Sequence, residues 1–209
     1  AGPTYEKIDP VRFIGNFSSG KMGVAIANEL ALLGANVELV IGPSLVEINP
    51  NVSVSRVEST KEMYDVCLDK FDNSKLIIFS AAVSDYKPKE VRKSKMKKNT
   101  DNINLLLEKT VDILEELGNN KKSNQVLVGF ALETENEIIN AKNKMIKKNL
   151  DLIVLNSMND KESCFGFDTN KVTLIRKDDE IESLPLMTKK KVAKYIIKTC
   201  RELFKKELI

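Results

Sequence analysis

Histidine and tryptophan are both missing from these 209 residues. Without histidine, Ser-His-Asp and Cys-His catalysis and histidine-based metal sites are excluded within the chain. Aromatics make up only 6% of it, too few for a base-stacking platform. The three cysteines, Cys67, Cys164 and Cys200, stand far apart and form no C-x-x-C. They suit a reducing compartment and small buried side chains better than disulfides or zinc. Cys164 falls in an expected loop, where a chemical role would need exposure and a lowered pKa. No apolar run approaches the ~18 residues of a membrane span, and no signal peptide is visible. A net charge of +3 is too small to argue for nucleic acid. What remains is a soluble, globular, cytoplasmic chain, 42% hydrophobic and 30% charged, long enough for one domain over 1–209.

What is present concentrates near the start. Asp9-Pro10-Val11-Arg12-Phe13-Ile14-Gly15-Asn16-Phe17-Ser18-Ser19-Gly20-Lys21-Met22-Gly23 sets an arginine, an amide, two serines, a lysine and three glycines ahead of an apolar-periodic helix. Ser18 and Ser19 are good N-caps, and a helix start attracts anions through its unpaired N–H groups. The stretch reads as a phosphate or carboxylate site; the plainer alternative is a helix entry with glycine spacers. Gly15 to Lys21 matches a P-loop except at Met22, where a P-loop needs a hydroxyl for magnesium. A thioether is a poor ligand for a hard cation, so the P-loop reading fails. The opening Ala1-Gly2-Pro3-Thr4 has no apolar strand ahead of it, which reads as a domain whose first strand lies outside this sequence.

Further along, Met22, Ile26, Leu30 and Leu33 recur at helical spacing up to Gly34. Strands are expected at 37–41, around Val52 and Val54, at 76–79, 103–107, 126–130, 152–155 and 171–175, with a hairpin through Asp178-Asp179-Glu180 to 181–184. Capping boxes are expected at Ser59/Glu62 and Thr134/Glu137, a short helix after Thr110, and a Thr188-capped final helix. Alternating strands and helices predict a doubly wound α/β sheet. Such sheets bind ligands at strand carboxyl ends. Leu76-Ile77-Ile78-Phe79, expected to be a central strand, ends in the small residues Ser80-Ala81-Ala82. Asp85 beyond them is either a turn residue or a magnesium ligand shared with phosphates. Lys93, Lys95, Lys97 and Lys98 form a charge run that is ordinarily a solvated face, but gains interest beside a phosphate site.

Taken together these stretches resemble the bacterial phosphopantothenoylcysteine synthetases of coenzyme A biosynthesis. The match runs from Gly2-Pro3-Thr4 and the Asp9–Gly23 stretch through Ala81-Ala82-Val83-Ser84-Asp85-Tyr86 and Lys95-Met96-Lys97-Lys98. It continues in Val128-Gly129-Phe130-Ala131-Leu132-Glu133-Thr134, Lys148-Asn149-Leu150-Asp151-Leu152-Ile153, and Phe165-Gly166 with Asp168 and Asn170. The resemblance implies a Rossmann-like, mainly parallel sheet with an added strand region for dimerisation, and a homodimer. It implies a ligase that joins 4′-phosphopantothenate to cysteine through an acyl-cytidylate, using CTP with Mg²⁺ and releasing CMP and pyrophosphate. FMN would enter only through a fused flavin-dependent decarboxylase half. Asn16 and Lys95 match catalytic positions. Arg12, Asn16 and Ala82 match the substrate site, and Asp85 the metal-associated carboxylate. Phe79, Ser80, Ala81, Asp85, Lys95, Val111, Asp112, Ile113, Leu114, Phe130, Lys144 and Lys148 match nucleotide contacts. Departures fall at Thr110, where the family has asparagine, at Ser157, where it has aspartate, and at Gly15, a common serine.

Two other readings stand beside it. A nicotinamide-dependent reductase would share the fold, but G-x-G-x-x-G and Tyr-x-x-x-Lys are both missing and Glu38 alone is weak. A non-catalytic nucleotide-binding module would bind without turnover.

Overall fold

The computed structural model describes residues 1–97, 102–160, 162–163 and 166–206. The elements run β1 (Tyr5–Lys7), β2 (Phe13–Gly15), α1 (Lys21–Leu32), β3 (Glu38–Ile41), β4 (Ser53–Arg56), α2 (Thr60–Phe71), β5 (Leu76–Phe79), β6 (Tyr86–Pro88) and β7 (Leu107–Lys109). They continue with α3 (Ile113–Asn119), β8 (Val126–Glu133), α4 (Glu137–Lys147), β9 (Leu152–Ser157), β10 (Thr169–Asn170), β11 (Val172–Arg176), β12 (Ile181–Ser183), β13 (Met187–Thr188) and α5 (Lys189–Lys206).

The main sheet has the order β12-β11-β9-β8-β5. β5, β8 and β9 pair in parallel, whereas β11 and β12 join antiparallel. Val126, Leu127, Val128, Leu152, Ile153 and Val154 are all fully buried, as expected of parallel strands covered on both faces. Their alternation sorts them. Leu127, Ala131, Ile153 and Leu155 meet α2, α3 and α4 through Met63, Phe71, Ile113, Leu117, Ala141 and Met145. Val126, Val128, Leu152 and Val154 meet α1 and α5 through Ile26, Val192, Ala193, Ile196 and Cys200. This is the doubly wound arrangement expected from the pattern. Among the described residues no helix is long and apolar enough to cross a membrane.

β3 and β4 form a separate parallel pair with a small core of Val24, Ala27, Leu39, Ile41 and Val52. The opening residues stitch this pair to the main sheet. The Ala1 ammonium donates to the Val40 carbonyl at 2.7 Å and the Ala1 carbonyl accepts from Gly42 N–H at 3.0 Å. Two residues on, Pro3 makes a parallel bridge to Ala82. The fit is close at Gly42, where a Cβ would lie 1.7 Å from the Pro3 carbonyl oxygen. Behind Ala1, a slot of about 670 Å³ separates β3 from β5, lined by Val37 to Val40 and Leu76 to Phe79. β5 therefore stands at the end of its hydrogen-bonded ladder rather than at its centre.

Local signals fared unevenly. Ser59 caps α2, accepting from Glu62 N–H, although Glu62 returns its bond to Glu58 N–H. Thr188 reaches Lys191 N–H, and Asp178–Glu180 makes the hairpin turn, with Asp179 at φ 67°. The second capping box does not form. Asn136, at φ 48°, occupies the N-cap, and Glu137 accepts a hydrogen bond from Ser157 Oγ instead. Ser18 and Ser19 likewise lose the α1 cap to Gly20, whose φ of 76° suits glycine. The strand expected at 103–107 begins only at Leu107, since its partner β6 ends at Pro88 and one further bond, Lys89 N–H to Leu106, closes the ladder. Lys98, Cys164 and Phe165 lie outside the described residues; Cys67 and Cys200 are free thiols.

At the foot of β8 and β9, Lys121 donates to Asp151 at 2.6 Å, with side chains only 8% and 12% exposed. The other Asp151 oxygen accepts Leu127 N–H. Removing one partner of such a pair strands a buried charge. Lys121→Met is expected to cost about 3 kcal/mol in urea unfolding, and Lys121→Met with Asp151→Asn less than the sum of the two. Additive losses would show that the pair is not coupled.

Candidate functional site

The parallel strands all point their carboxyl ends the same way, and the polar residues singled out in the sequence collect around those ends. β5 runs into Ser80-Ala81-Ala82, against which the start of α1 packs closely. A Cβ at Gly23 would sit 2.6 Å from Ser80 Oγ. The loop from Ala82 to Asp85 is held from below. Ser84 N–H donates to the buried Thr4 Oγ1 at 2.9 Å, and Thr110 donates its hydroxyl to the Ser84 carbonyl at 2.6 Å. Thr110, one of the departures from the family pattern, thus tethers this loop. The Asp85 carbonyl takes Thr110 N–H, leaving its side chain exposed.

Asn16 lies over this loop. Its Nδ2 donates to the Ala82 carbonyl at 3.2 Å and to the Val83 carbonyl at 2.9 Å. Both amide protons are thereby occupied, so the group offered outward is the Oδ1 acceptor. Asn16 and Ala82, separate in sequence, form one unit.

A second unit stands at the ends of β8 and α4. Asp112 caps α3 by accepting Glu115 N–H, and accepts from Lys148 Nζ at 2.7 and 2.9 Å. Burial, the largest single influence, opposes its ionisation, but the Lys148 hydrogen bond, the Glu115 N–H and the charges of Lys148 and Lys147 together outweigh it and hold its pKa below the usual carboxylate value. Lys144 donates to the Phe130 carbonyl at 2.8 Å. Burial pulls its pKa down and Lys148 adds to this, while Glu133, Asp112 and Asp85 pull the other way. Lys144, Lys148, Asp112 and Asp85 therefore share one electrostatic neighbourhood. Ile113 and Leu114 are 1% and 4% exposed, in the core with Leu117. Their side chains are structural, and only their backbone could meet a nucleotide.

Lys95 is exposed on the segment after β6, in a concavity shared with Arg92, Ser94, Met96, Lys97 and Asn102. The next residue, Met96, is buried and bonded to Asp9 and Arg12. Asp9 had no role in the sequence reading; its short-range turn geometry gave no sign of a partner in Met96. Lys21 departs from expectation. Its Nζ donates to Asp168 at 2.7 Å and to the Gly166 carbonyl at 3.0 Å, so it docks the 166–170 loop on α1 instead of joining Arg12 and Asn16. Asn170 completes this contact against Met22 Sδ. Among the described residues no cluster of three or more acidic or thiol groups forms a ready metal site.

Comparison with known proteins identifies the fold and the family. The chain is 46% identical over 199 residues to a cysteine/cysteine sulfinic acid decarboxylase from an unknown prokaryotic organism, covering 95% of this chain and 55% of the relative. It is 45% identical over 206 residues to the coenzyme A biosynthesis bifunctional protein CoaBC of Bacillus subtilis, covering 98% and 50%. The chain thus spans about half the length of the relatives it matches, and their names describe the longer proteins. A crystal structure of the C-terminal domain of a coenzyme A biosynthesis bifunctional protein CoaBC superimposes with a TM-score of 0.84 at 43% identity, over 99% of this chain and 93% of that one. Residues 1–203 match the model of the DNA/pantothenate metabolism flavoprotein C-terminal domain, and the chain belongs to that family.

Proposed function

We propose that this chain is a synthetase unit joining 4′-phosphopantothenate to cysteine with CTP, in coenzyme A biosynthesis. The observation that carries the reading is Asn16, pinned by two backbone carbonyls at the end of β5 beside Asp85 and the Lys144–Lys148–Asp112 group. The bifunctional relatives and the C-terminal-domain structure support the pathway.

A carboxylate is a poor electrophile and must first be activated. Its oxygen bonds to the CTP α-phosphorus while the bond to the β-phosphate breaks and pyrophosphate leaves. Both reactants are anions, so cations must offset their repulsion; Lys95, Lys144, Lys148 and Arg12 supply that charge without histidine. The cysteine amine then bonds to the acyl carbon, loses a proton, and CMP departs. Because its N–H groups are engaged, Asn16 would serve this second step through Oδ1, accepting from the incoming amine and orienting it. This replaces the oxyanion-donor role that an amide at this position suggests on its own. A lone exposed carboxylate beside lysines fits magnesium, which takes phosphate oxygens and waters as its remaining ligands. Asp85 would hold the ion, whose contribution would be charge neutralisation on the triphosphate.

The small residues Ser80 and Ala81, with backbone edges available, favour cytosine over a purine. The bifunctional names of the relatives support reading the unit as working joined to a flavin-dependent decarboxylase half, where FMN would belong. Free thiols at Cys67 and Cys200 suit a cytoplasmic setting. A homodimer is supported less by the β11–β12 hairpin, which is fused into the main sheet, than by exposed Phe13, Tyr86, Leu106 and Leu107. These lie along β2, β6 and β7, adjoining small sheets, and exposed apolar patches commonly mark interfaces.

Four outcomes are expected. With phosphopantothenate and CTP but no cysteine, the chain should release pyrophosphate; Lys95→Gln should slow this by about a hundredfold, the cost of one preorganised donor. Asn16→Asp should still form the acyl-cytidylate but hold it, because a carboxylate would face the Ala82 and Val83 carbonyls and swing away. Quenched-flow detection of the bound intermediate decides this, and the reverse pattern would exchange the two roles. ATP should turn over far more slowly than CTP; equal rates would end the cytosine assignment, and binding without turnover would favour a non-catalytic module. Finally, sedimentation at micromolar concentration should give a dimer that Leu106→Asp weakens. A fully active monomer would refute it.

A further inference from the structure

Asp9 has no role in the chemistry assigned so far, and its side chain is completely buried whereas that of its salt-bridge partner Arg12 is 38% exposed. One oxygen does local work: Asp9 Oδ1 accepts from Val11 N–H and Arg12 N–H, each at 2.8 Å, an ordinary Asx turn between β1 and β2. The other reaches across the molecule. Oδ2 accepts from Arg12 Nη1 at 2.7 Å and from Met96 N–H, 87 residues away, at 3.1 Å. Arg12 Nη1 also donates to the Met96 carbonyl at 3.4 Å, and Arg92 N–H donates to the Ile8 carbonyl. The Met96 side chain is itself buried. The peptide unit on either side of Met96 is thus gripped by its N–H and its C=O, and Lys95 is the residue immediately before it.

An Asx turn would need only Oδ1. Spending the second oxygen on a guanidinium and on a distant backbone group does something a turn does not require: it fixes the cation on one segment relative to the cation on another. Arg12 keeps Nε and Nη2 without a hydrogen bond among the described residues, and so retains donors for a ligand. Burial disfavours ionisation of Asp9, but the N–H groups of Met96, Val11 and Arg12 and the Arg12 guanidinium outweigh it and hold the carboxyl at about 2, so the clamp is charged under working conditions.

We propose that Asp9 is a positioning residue that couples the two substrate pockets, locking the phosphopantothenate-side Arg12 to the nucleotide-side Lys95 so that one ligand prepares the site for the other. This rests on the ligase reading above. A shared clamp predicts reciprocal linkage, since a ligand that orders Arg12 also orders the Lys95 segment, and the reverse.

The test is calorimetric titration of the intact chain with 4′-phosphopantothenate and with a non-hydrolysable α,β-methylene CTP, each alone and in the presence of the other. In the native chain each ligand should tighten the other by about tenfold. In Asp9→Asn, which keeps the shape but weakens the charged bonds, that factor should fall below about threefold, with kcat falling more than either KM rises. Met96→Pro removes the distant N–H without touching the β1–β2 turn, and should lose the coupling too; it stands in if Asp9→Asn does not fold. A merely structural Asp9 would lower thermal stability and leave the linkage factor intact, which would overturn the proposal, as would a native chain whose two ligands bind independently. A native chain that binds neither ligand would refute the ligase reading instead. The clamp would then be read from amide exchange at Met96, protected in the native chain and fast in Asp9→Asn; equal exchange would overturn it.

Discussion

One buried hydroxyl holds the working edge of this molecule together. Thr4 Oγ1 shares a hydrogen bond with Thr60 Oγ1 at the start of α2 and accepts Ser84 N–H from the loop beyond β5. Thr60 N–H in turn donates to the buried Glu6 carboxylate, and Thr110 reaches the Ser84 carbonyl from the approach to α3. Four segments distant in sequence meet at this chain of side-chain bonds. An unpaired polar group there would carry its full desolvation cost, so the segments are fixed jointly or not at all. The Ala82–Asp85 loop, which carries Asn16's partners, inherits its position from that network.

Much of the sheet could be read directly from the chain because burial on both faces leaves a strong signal. Leu76 to Phe79, Val126 to Val128 and Leu152 to Leu155 are apolar runs bounded by turn residues, and each became a parallel strand. What failed were features whose outcome depends on a distant partner. Thr134 and Glu137 have the spacing of a capping box, but Glu137 found Ser157 across the strand ends. Ser18 and Ser19 look like caps, yet the chain enters α1 through a left-handed Gly20. Ile103 to Leu106 has strand composition, but among the described residues it pairs with no strand beyond the bond from Lys89 N–H to the Leu106 carbonyl.

The site shows the same division. Asn16, Ala82, Asp85, Asp112 and Lys148 were singled out by family motifs, and the fold joins Asn16 to Ala82 and Lys148 to Asp112. Lys21 was misread because its partner, Asp168, is 147 positions away, and no local pattern announces such a pairing. Asp9 was overlooked for a related reason. Its nearest visible role, the turn into Arg12, was sufficient to account for it, and only the long-range bond to Met96 shows that it has another.

The two halves of the proposed site differ in how firmly they are held, and the difference suits the roles proposed for them. Asn16 and the Ala82–Asp85 loop follow the partly buried β2 and β5 and are held by the Asn16 bonds to Ala82 and Val83 and by the Thr4 network, so their donors and acceptors have fixed directions. Lys95 stands exposed on a segment anchored through Met96 alone among its immediate neighbours. Hydrogen bonding weakens steeply when angle or distance drifts, so a group that orients an attacking amine has to be rigid. Coulomb attraction falls only as the inverse of distance, so a cation that offsets phosphate charge tolerates movement of an ångström or so. A lysine on a tethered strap suits that task, provided the tether stops it from drifting beyond the reach of the charge it serves. The Asp9–Arg12–Met96 contacts supply that limit while leaving the Lys95 side chain itself in solvent.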